Sequence, residues 1–285
     1  MRQAIPWPAK IAAKLVLSRL PVGYGLWKRI GLFEHGHMDD PAYGEAVFLR
    51  HFRRTHLAGK PGFTCLELGP GDSLFSAVLA KAHGASACWL IDTGAFAARD
   101  MAGYRRLARH LQAQNLPAPP EAGLASLDAL LAYCGARYLT DGLASLRTVP
   151  AASIDFLWSQ AVLEHIRKRE FDALLRETRR VLRPDGIASH RIDLRDHLAG
   201  ALNNLRFSEQ LWESEWMARS GFYTNRLGYE EMLERFRAAG FAVEIVGVER
   251  WPDLPTARRS LAAPFRDRPE ESLLVSGFDV VLRPA

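Results

Sequence analysis

Cysteine is scarce in this chain: Cys65, Cys88 and Cys134 are the only three in 285 residues, well separated and with no Cys-x-x-Cys pair. An odd, dispersed set builds neither a disulfide framework nor a zinc ribbon, so a reducing, cytoplasmic location is expected and no metal is. Lysine is also rare. It occurs only at positions 10, 14, 28, 60, 81 and 168, so arginine supplies most of the 37 basic residues. Against 32 acidic residues the formal charge is +5, yet no run of five like charges concentrates it. Basicity spread in this way is no nucleic-acid footprint. No apolar run approaches the roughly 20 residues that a membrane span needs. The start does not read as a secretory signal, because Lys10, Lys14 and Arg19 interrupt the stretch that would have to be apolar. Repeats and low-complexity tracts are missing too. At 48% hydrophobic and 24% charged, the composition is that of a globular chain.

The first sixty residues read as helical. Ile11, Leu15 and Leu20 form a stripe among basic residues, closed by Pro21. A basic amphipathic helix over 10–20 suits a peripheral membrane contact or a cap packed on its own domain, and the cap is the expectation. A second helix is predicted over 43–54, with Val47, Phe48 and Phe52 on one side. From Phe63 the pattern changes. Apolar runs at 63–68, 87–91, 154–158 and 187–192 alternate with helical stretches at 104–114 and 171–182, and a further strand precedes Asp141-Gly142. A helix over 229–239 and strands at 241–248 and 273–282 complete the chain. This alternation predicts an α/β fold, doubly wound, around a mostly parallel sheet with helices on both faces. The expected division is a helical cap over 1–60 and a catalytic domain over 61–285. An aromatic-rich insertion is expected at about 198–228.

Ligands of such sheets bind beyond the carboxyl ends of the strands. The turn there is Glu67-Leu68-Gly69-Pro70-Gly71-Asp72-Ser73, where Gly69 allows a sharp turn and Gly71 a close backbone approach. It fails as a dinucleotide fingerprint, because position 74 is Leu rather than Gly. Asp92, ending the second strand, can accept from both hydroxyls of a ribose or can cap the next helix.

Taken in order, Glu67 to Ser73, Asp92, Asp141-Gly142, Asp155 to His165 and Val181 to Gly186 resemble the five motifs of class I S-adenosylmethionine-dependent methyltransferases of the small-molecule type. The resemblance covers about 63–285 and implies a seven-stranded, Rossmann-like sheet. It departs at Ser73, where many members carry a third glycine. By resemblance, Gly69, Gly71, Asp72 and Ser73 pass under the methionine part of S-adenosylmethionine. Asp92, with Thr93 beside it, holds the ribose, and Asp141-Gly142 meets the adenine. Glu67 organises the loop. Ser159 and Gln160 line the space between sulfonium and acceptor.

Methyl transfer is largely a matter of alignment, with a base required only for acceptors that carry a proton. His165 is the first candidate and His197 the second, whereas His190, inside a strand, is expected to face the core. His35-Gly36-His37-Met38-Asp39-Asp40 is compact enough to suggest a metal site, but a lid loop is expected instead. In the insertion, Phe207, Trp212, Trp216, Phe222 and Tyr223 form either an acceptor pocket or the core of a small helical unit. The helical spacing of Trp212 and Trp216 favours the core. Tyr223, Asn225 and Arg226 are candidate acceptor anchors, Arg226 for an acidic one. The Pro-Pro-aromatic signature of base-amino methylation is absent, since Ser159-Gln160-Ala161-Val162 stands in its place. The expected activity is methyl transfer to oxygen or nitrogen of a small molecule, a sugar or a secondary metabolite. The rivals are transfer of the aminocarboxypropyl group by the same fold, and a non-catalytic scaffold that docks through residues 1–20.

Overall fold

A computed structural model describes residues 38–285. The basic helix expected over 10–20 and the pair His35 and His37 lie outside the described residues. Helix α1 (Pro41–Phe52) begins where Asp40 accepts a hydrogen bond from the Tyr43 N–H at 2.8 Å, with proline in the first turn where its missing N–H costs nothing. Val47, Phe48 and Phe52 bury one face of this helix. Then follow β1 (Thr64–Leu68), α2 (Phe75–Ala82), β2 (Ala87–Ile91), α3 (Ala102–Ala113), α4 (Leu127–Cys134), β3 (Ala136–Leu139), α5 (Leu143–Thr148), β4 (Ile154–Gln160), α6 (Lys168–Val181) and β5 (Leu182–Asp193).

After two one-turn helices, α7 (Glu209–Trp212) and α8 (Glu215–Ala218), come α9 (Tyr229–Ala238), β6 (Phe241–Arg250), the short α10 (Ala263–Arg266) and α11 (Glu270–Leu273), and β7 (Val275–Pro284). The seven strands form one sheet in the order β3-β2-β1-β4-β5-β7-β6, parallel throughout except for β7, which runs antiparallel to both neighbours. The strand order reverses between β1 and β4, which opens a crevice beyond their carboxyl ends.

Alternation along each strand divides the core. Cys65, Phe156 and Trp158 face α1 and α2, while Leu66, Leu157 and Ala188 face α6 and α9. All three cysteines are buried free thiols. Arg183-Pro184-Asp185-Gly186, the end of the fifth motif, lies within β5 as an irregularity. Leu182 pairs with Ile154, and pairing resumes at Ile187 with Phe156. Gly186 is needed there, since a Cβ would meet the Ile154 carbonyl oxygen at 2.8 Å.

The insertion corrects another expectation. Ser208 and Ser214 each cap a separate short helix, so Trp212 and Trp216 do not share a helix face. Trp212 is fully buried with Leu198, Met217, Phe222 and Tyr223, while Trp216 is 48% exposed. Among the described residues, no helix is long and apolar enough to cross a membrane.

Candidate active site

Leu68 ends β1, and the chain then turns through two left-handed glycines, Gly69 (φ +68°) and Gly71 (φ +65°). The Asp92 carboxylate faces this turn. One oxygen accepts from the Gly71 N–H at 2.9 Å and the other from the Thr93 N–H at 2.7 Å. Capping a helix is not its role, because the next helix begins only at Ala102. The Asp92 carbonyl accepts from Gly142 N–H at 2.8 Å, which draws the loop after β3 to the same place. The crevice thus gathers Gly69, Gly71, Asp92, Thr93 and Gly142, with Asp141 exposed at its rim.

Glu67 lies beneath this loop rather than in it. Burial pushes its carboxyl up to about 8, the Ser76 hydroxyl hydrogen bond opposes that, and the Asp92 charge adds to it. Near neutral pH it is largely a neutral acid bracing α2 against β1. Asp72 and Ser73 are buried at the start of α2, where they line a pocket of about 160 Å³ with Asp39, Phe75, Tyr104 and Arg106.

At the tip of β4 the two expected lining residues part company. Neighbouring strand positions face opposite sides. Ser159 is fully buried, with its hydroxyl 2.7 Å from His190 Nδ1, so it does not line the crevice. Gln160 is half-buried and turns to the α1 side, where its Oε1 lies 3.1 Å from His51 Nε2. His51 Nδ1 in turn lies 2.8 Å from the Ser189 hydroxyl. Arg54 donates to Ser189 at 3.1 Å and to Asp279 at 2.8 Å, and Arg191 donates to Asp279 at 3.0 Å. Burial holds His51 at about 4 and His190 at about 3, so both are neutral near pH 7. His190 faces the core, as expected.

Beyond Gln160, Ala161 takes a left-handed backbone (φ +53°), unusual for alanine, and brings Val162 against Gly69. One short turn later stands His165. Its Nδ1 lies 2.8 Å from the Tyr223 carbonyl oxygen, and its Nε2 lies 3.1 Å from Nε2 of His197, which follows β5. The two candidate bases, 32 positions apart in sequence, therefore meet.

The acceptor anchors expected in the insertion are engaged internally. The Asn225 amide donates to the carbonyls of Leu163 and Ile166 at 2.8 and 3.1 Å, and its backbone N–H donates to Glu164. Arg226 is buried between the Trp212 and Phe265 rings and donates to the Phe207 carbonyl and the Glu209 carboxylate. The Tyr223 hydroxyl donates to Glu213. All three shape the wall behind His165, and their polar groups are turned into the protein.

Residues 66–189 match a family model described as a methyltransferase domain. The order of the seven strands is that of the class I methyltransferase fold. Similar solved structures include 1,6-didemethyltoxoflavin-N1-methyltransferase of Burkholderia thailandensis, at 17% identity over all of this chain and 93% of that one, with a TM-score of 0.46. Phosphoethanolamine N-methyltransferase 2 of Haemonchus contortus is 15% identical over 84% of this chain, with a TM-score of 0.45. This chain spans about half (53%) of that protein's length. An S-adenosylmethionine-dependent methyltransferase of Mesorhizobium loti is 19% identical over 82% of this chain and 95% of its own, with a TM-score of 0.44. No curated protein matches the chain.

Sequence reasoning passed over His51, Arg54, Glu164 and Asp279. His51 had a signal, since it lies three positions after Phe48 and four after Val47, on the buried face of α1. Glu164 is fully buried beside Asp193, and burial raises its carboxyl to about 8. Nothing in the local sequence marks it as buried.

Proposed function

We propose that the protein binds S-adenosylmethionine at the carboxyl ends of β1 and β2 and transfers its methyl group to oxygen or nitrogen of a small molecule. One observation carries this reading: the Asp92 carboxylate stands at the end of β2 with a backbone donor from the glycine turn on one oxygen and Thr93 on the other. A carboxylate at the carboxyl end of the second strand is placed to accept from a pair of ribose hydroxyls. The donor set therefore fits a nucleoside, with Gly142 and Asp141 beside it on the adenine side. The left-handed Gly69-Pro70-Gly71 turn lets the main chain lie close under the methionine portion. When bound, the cofactor supplies an electrophilic methyl on a sulfonium.

The protein's own contribution is alignment. The turn bearing His165, tied to the insertion through Tyr223 and Asn225 and set beside the cofactor turn by Val162, is the side from which an acceptor approaches in this reading. A small-molecule acceptor agrees with the dispersed surface charge and with Ser159-Gln160-Ala161-Val162 in place of a Pro-Pro-aromatic motif.

Calorimetry with S-adenosylmethionine and adenosylhomocysteine tests this reading. Both are expected to bind, more weakly to Asp92→Asn and not measurably to Asp92→Ala, with melting curves showing that the variants fold. Absence of heat with either ligand on the folded wild type overturns it. In turnover, adenosylhomocysteine as product supports methyl transfer, whereas methylthioadenosine marks aminocarboxypropyl transfer instead.

A further inference from the structure

We propose that His165 and His197 work as one proton-accepting unit, and that the acceptor is therefore a hydroxyl, phenol or ammonium that gives up a proton as it is methylated. This rests on the methyl-transfer reading above. The pair stands where two strand exits converge. The turn after β4 carries His165, and the segment after β5 carries His197. Val162, three positions before His165, packs on Gly69 of the cofactor turn, and the His165 N–H donates to the Val162 carbonyl at 2.9 Å. The unit therefore adjoins the loop assigned to the methionine end.

Its hydrogen bonds define how protons are placed. A carbonyl can only accept, so the proton opposite Tyr223 O belongs to His165 Nδ1, and a neutral His165 has its lone pair on Nε2. At 3.1 Å from that lone pair, His197 Nε2 is the donor. The neutral pair then holds one ring proton on each histidine. A third proton turns the pair into a cation with an N–H···N bond at its centre. A fourth would set two N–H groups head to head at this distance, so the pair takes up one proton and resists a second.

The surroundings receive that single charge. Asp193, at the end of β5, interacts with His197 while bonded to the Arg195 guanidinium at 2.8 and 2.9 Å. On the β4 side lies the buried Glu164, and on the insertion side stands the Tyr223 carbonyl, with the Arg167 guanidinium over the Tyr223 ring. Asp196, next to His197, is taken up by backbone N–H groups of Leu198, Ala199 and Asn203.

The step balances. The acceptor's X–H proton passes to the pair, and the electron pair left on X forms the bond to the methyl carbon. The carbon–sulfur bond breaks with its electrons returning to sulfur, and the pair afterwards releases one proton to water. A carboxylate acceptor has no proton to give and does not need this device.

Nitrogen-15 NMR of the full chain, labelled at histidine and titrated from pH 5 to 9 with and without adenosylhomocysteine, tests the unit directly. His165 and His197 are expected to share one protonation step, with His165 Nδ1 protonated throughout. His197→Gln should leave His165 titrating alone, with adenosylhomocysteine affinity within about twofold of wild type. Two independent one-proton steps overturn the proposal, as does a proton on Nε2 of neutral His165. A shared step without adenosylhomocysteine binding overturns the methyl-transfer reading and the acceptor class with it, and leaves the proton-sharing pair standing. A turnover screen of phenols, alcohols and amines beside carboxylic acids tests the acceptor class, and turnover confined to the acids overturns it. With an active acceptor, His197→Gln should lower kcat about 100-fold at neutral pH and recover as pH approaches the acceptor's own pKa. A loss that does not change with pH counts against the proton role.

Discussion

Val162 fills the space that a side chain at Gly69 would need: a Cβ there would lie 2.6 Å from Val162 Cγ2. The turn after β1 and the turn after β4 are therefore fitted to each other before any ligand arrives. Gly69→Ala should suffer twice, from this overlap and from a left-handed backbone that disfavours alanine by about 1–2 kcal/mol. Its melting temperature and its affinity for adenosylhomocysteine should both fall. Adding Val162→Ala should restore part of each, and a double variant no better than Gly69→Ala would show that the backbone alone decides.

The buried carboxyls make stability fall as pH rises. Glu67 and Glu164 have folded values near 8 against an ordinary 4.5, so the folded state retains protons that the unfolded chain releases. Their contribution is fully present below about pH 4.5 and is lost as pH rises through about 8. Urea denaturation from pH 5 to 8 should show this decline. Glu67→Gln, which keeps a partner for Ser76, should flatten it, and an unchanged slope would mean that Glu67 is ionised in the fold.

The buried histidines act in the opposite direction. His51 near 4 and His190 near 3 stay neutral in the fold while the unfolded chain protonates them around 6.5. Their contribution is present above about pH 6.5 and is lost as pH falls through about 4 and 3. His51→Gln should weaken the acid sensitivity seen in denaturation between pH 6.5 and 4. An unaltered acid limb would point to other groups.

Arg226 is expected to matter for stability rather than for an acceptor. Arg226→Ala empties a place between two aromatic rings and leaves the Phe207 carbonyl without its donor, a loss of about 2–3 kcal/mol. Thermal melting should show the drop, while adenosylhomocysteine affinity changes little. A stable Arg226→Ala would contradict the bracing role.

Much of the sheet was legible because its signals are local. Ala87 to Ile91 reads as one apolar run ending at an acid, and the strand has those limits. The Gly69-Pro70-Gly71 turn and Asp92 were equally readable, since each lies at a strand end where chemistry and position coincide. What resisted was pairing at long range. Ser159 and Gln160 look equivalent in sequence, and only the pleat sends one to His190 and the other to His51. Asn225 and Arg226 look like exposed polar anchors until the insertion folds back on the β4 turn. Similarly, the four-residue spacing of Trp212 and Trp216 hides the break between them, where Ser214 caps a new helix and Trp216 stands half-exposed.

The antiparallel β7 has a consequence for how the molecule comes apart. Among the described residues β6 pairs with no strand but β7, so whatever dislodges β7 releases both. The same strand carries Asp279, which holds Arg54 just beyond α1 and Arg191 in β5. It is a keystone joining the far edge of the sheet to the helix over the opposite end of the crevice. A proline at Val280 should therefore free the amides of β6, β7 and the end of α1 to exchange with solvent together, while those of β1 to β3 stay protected.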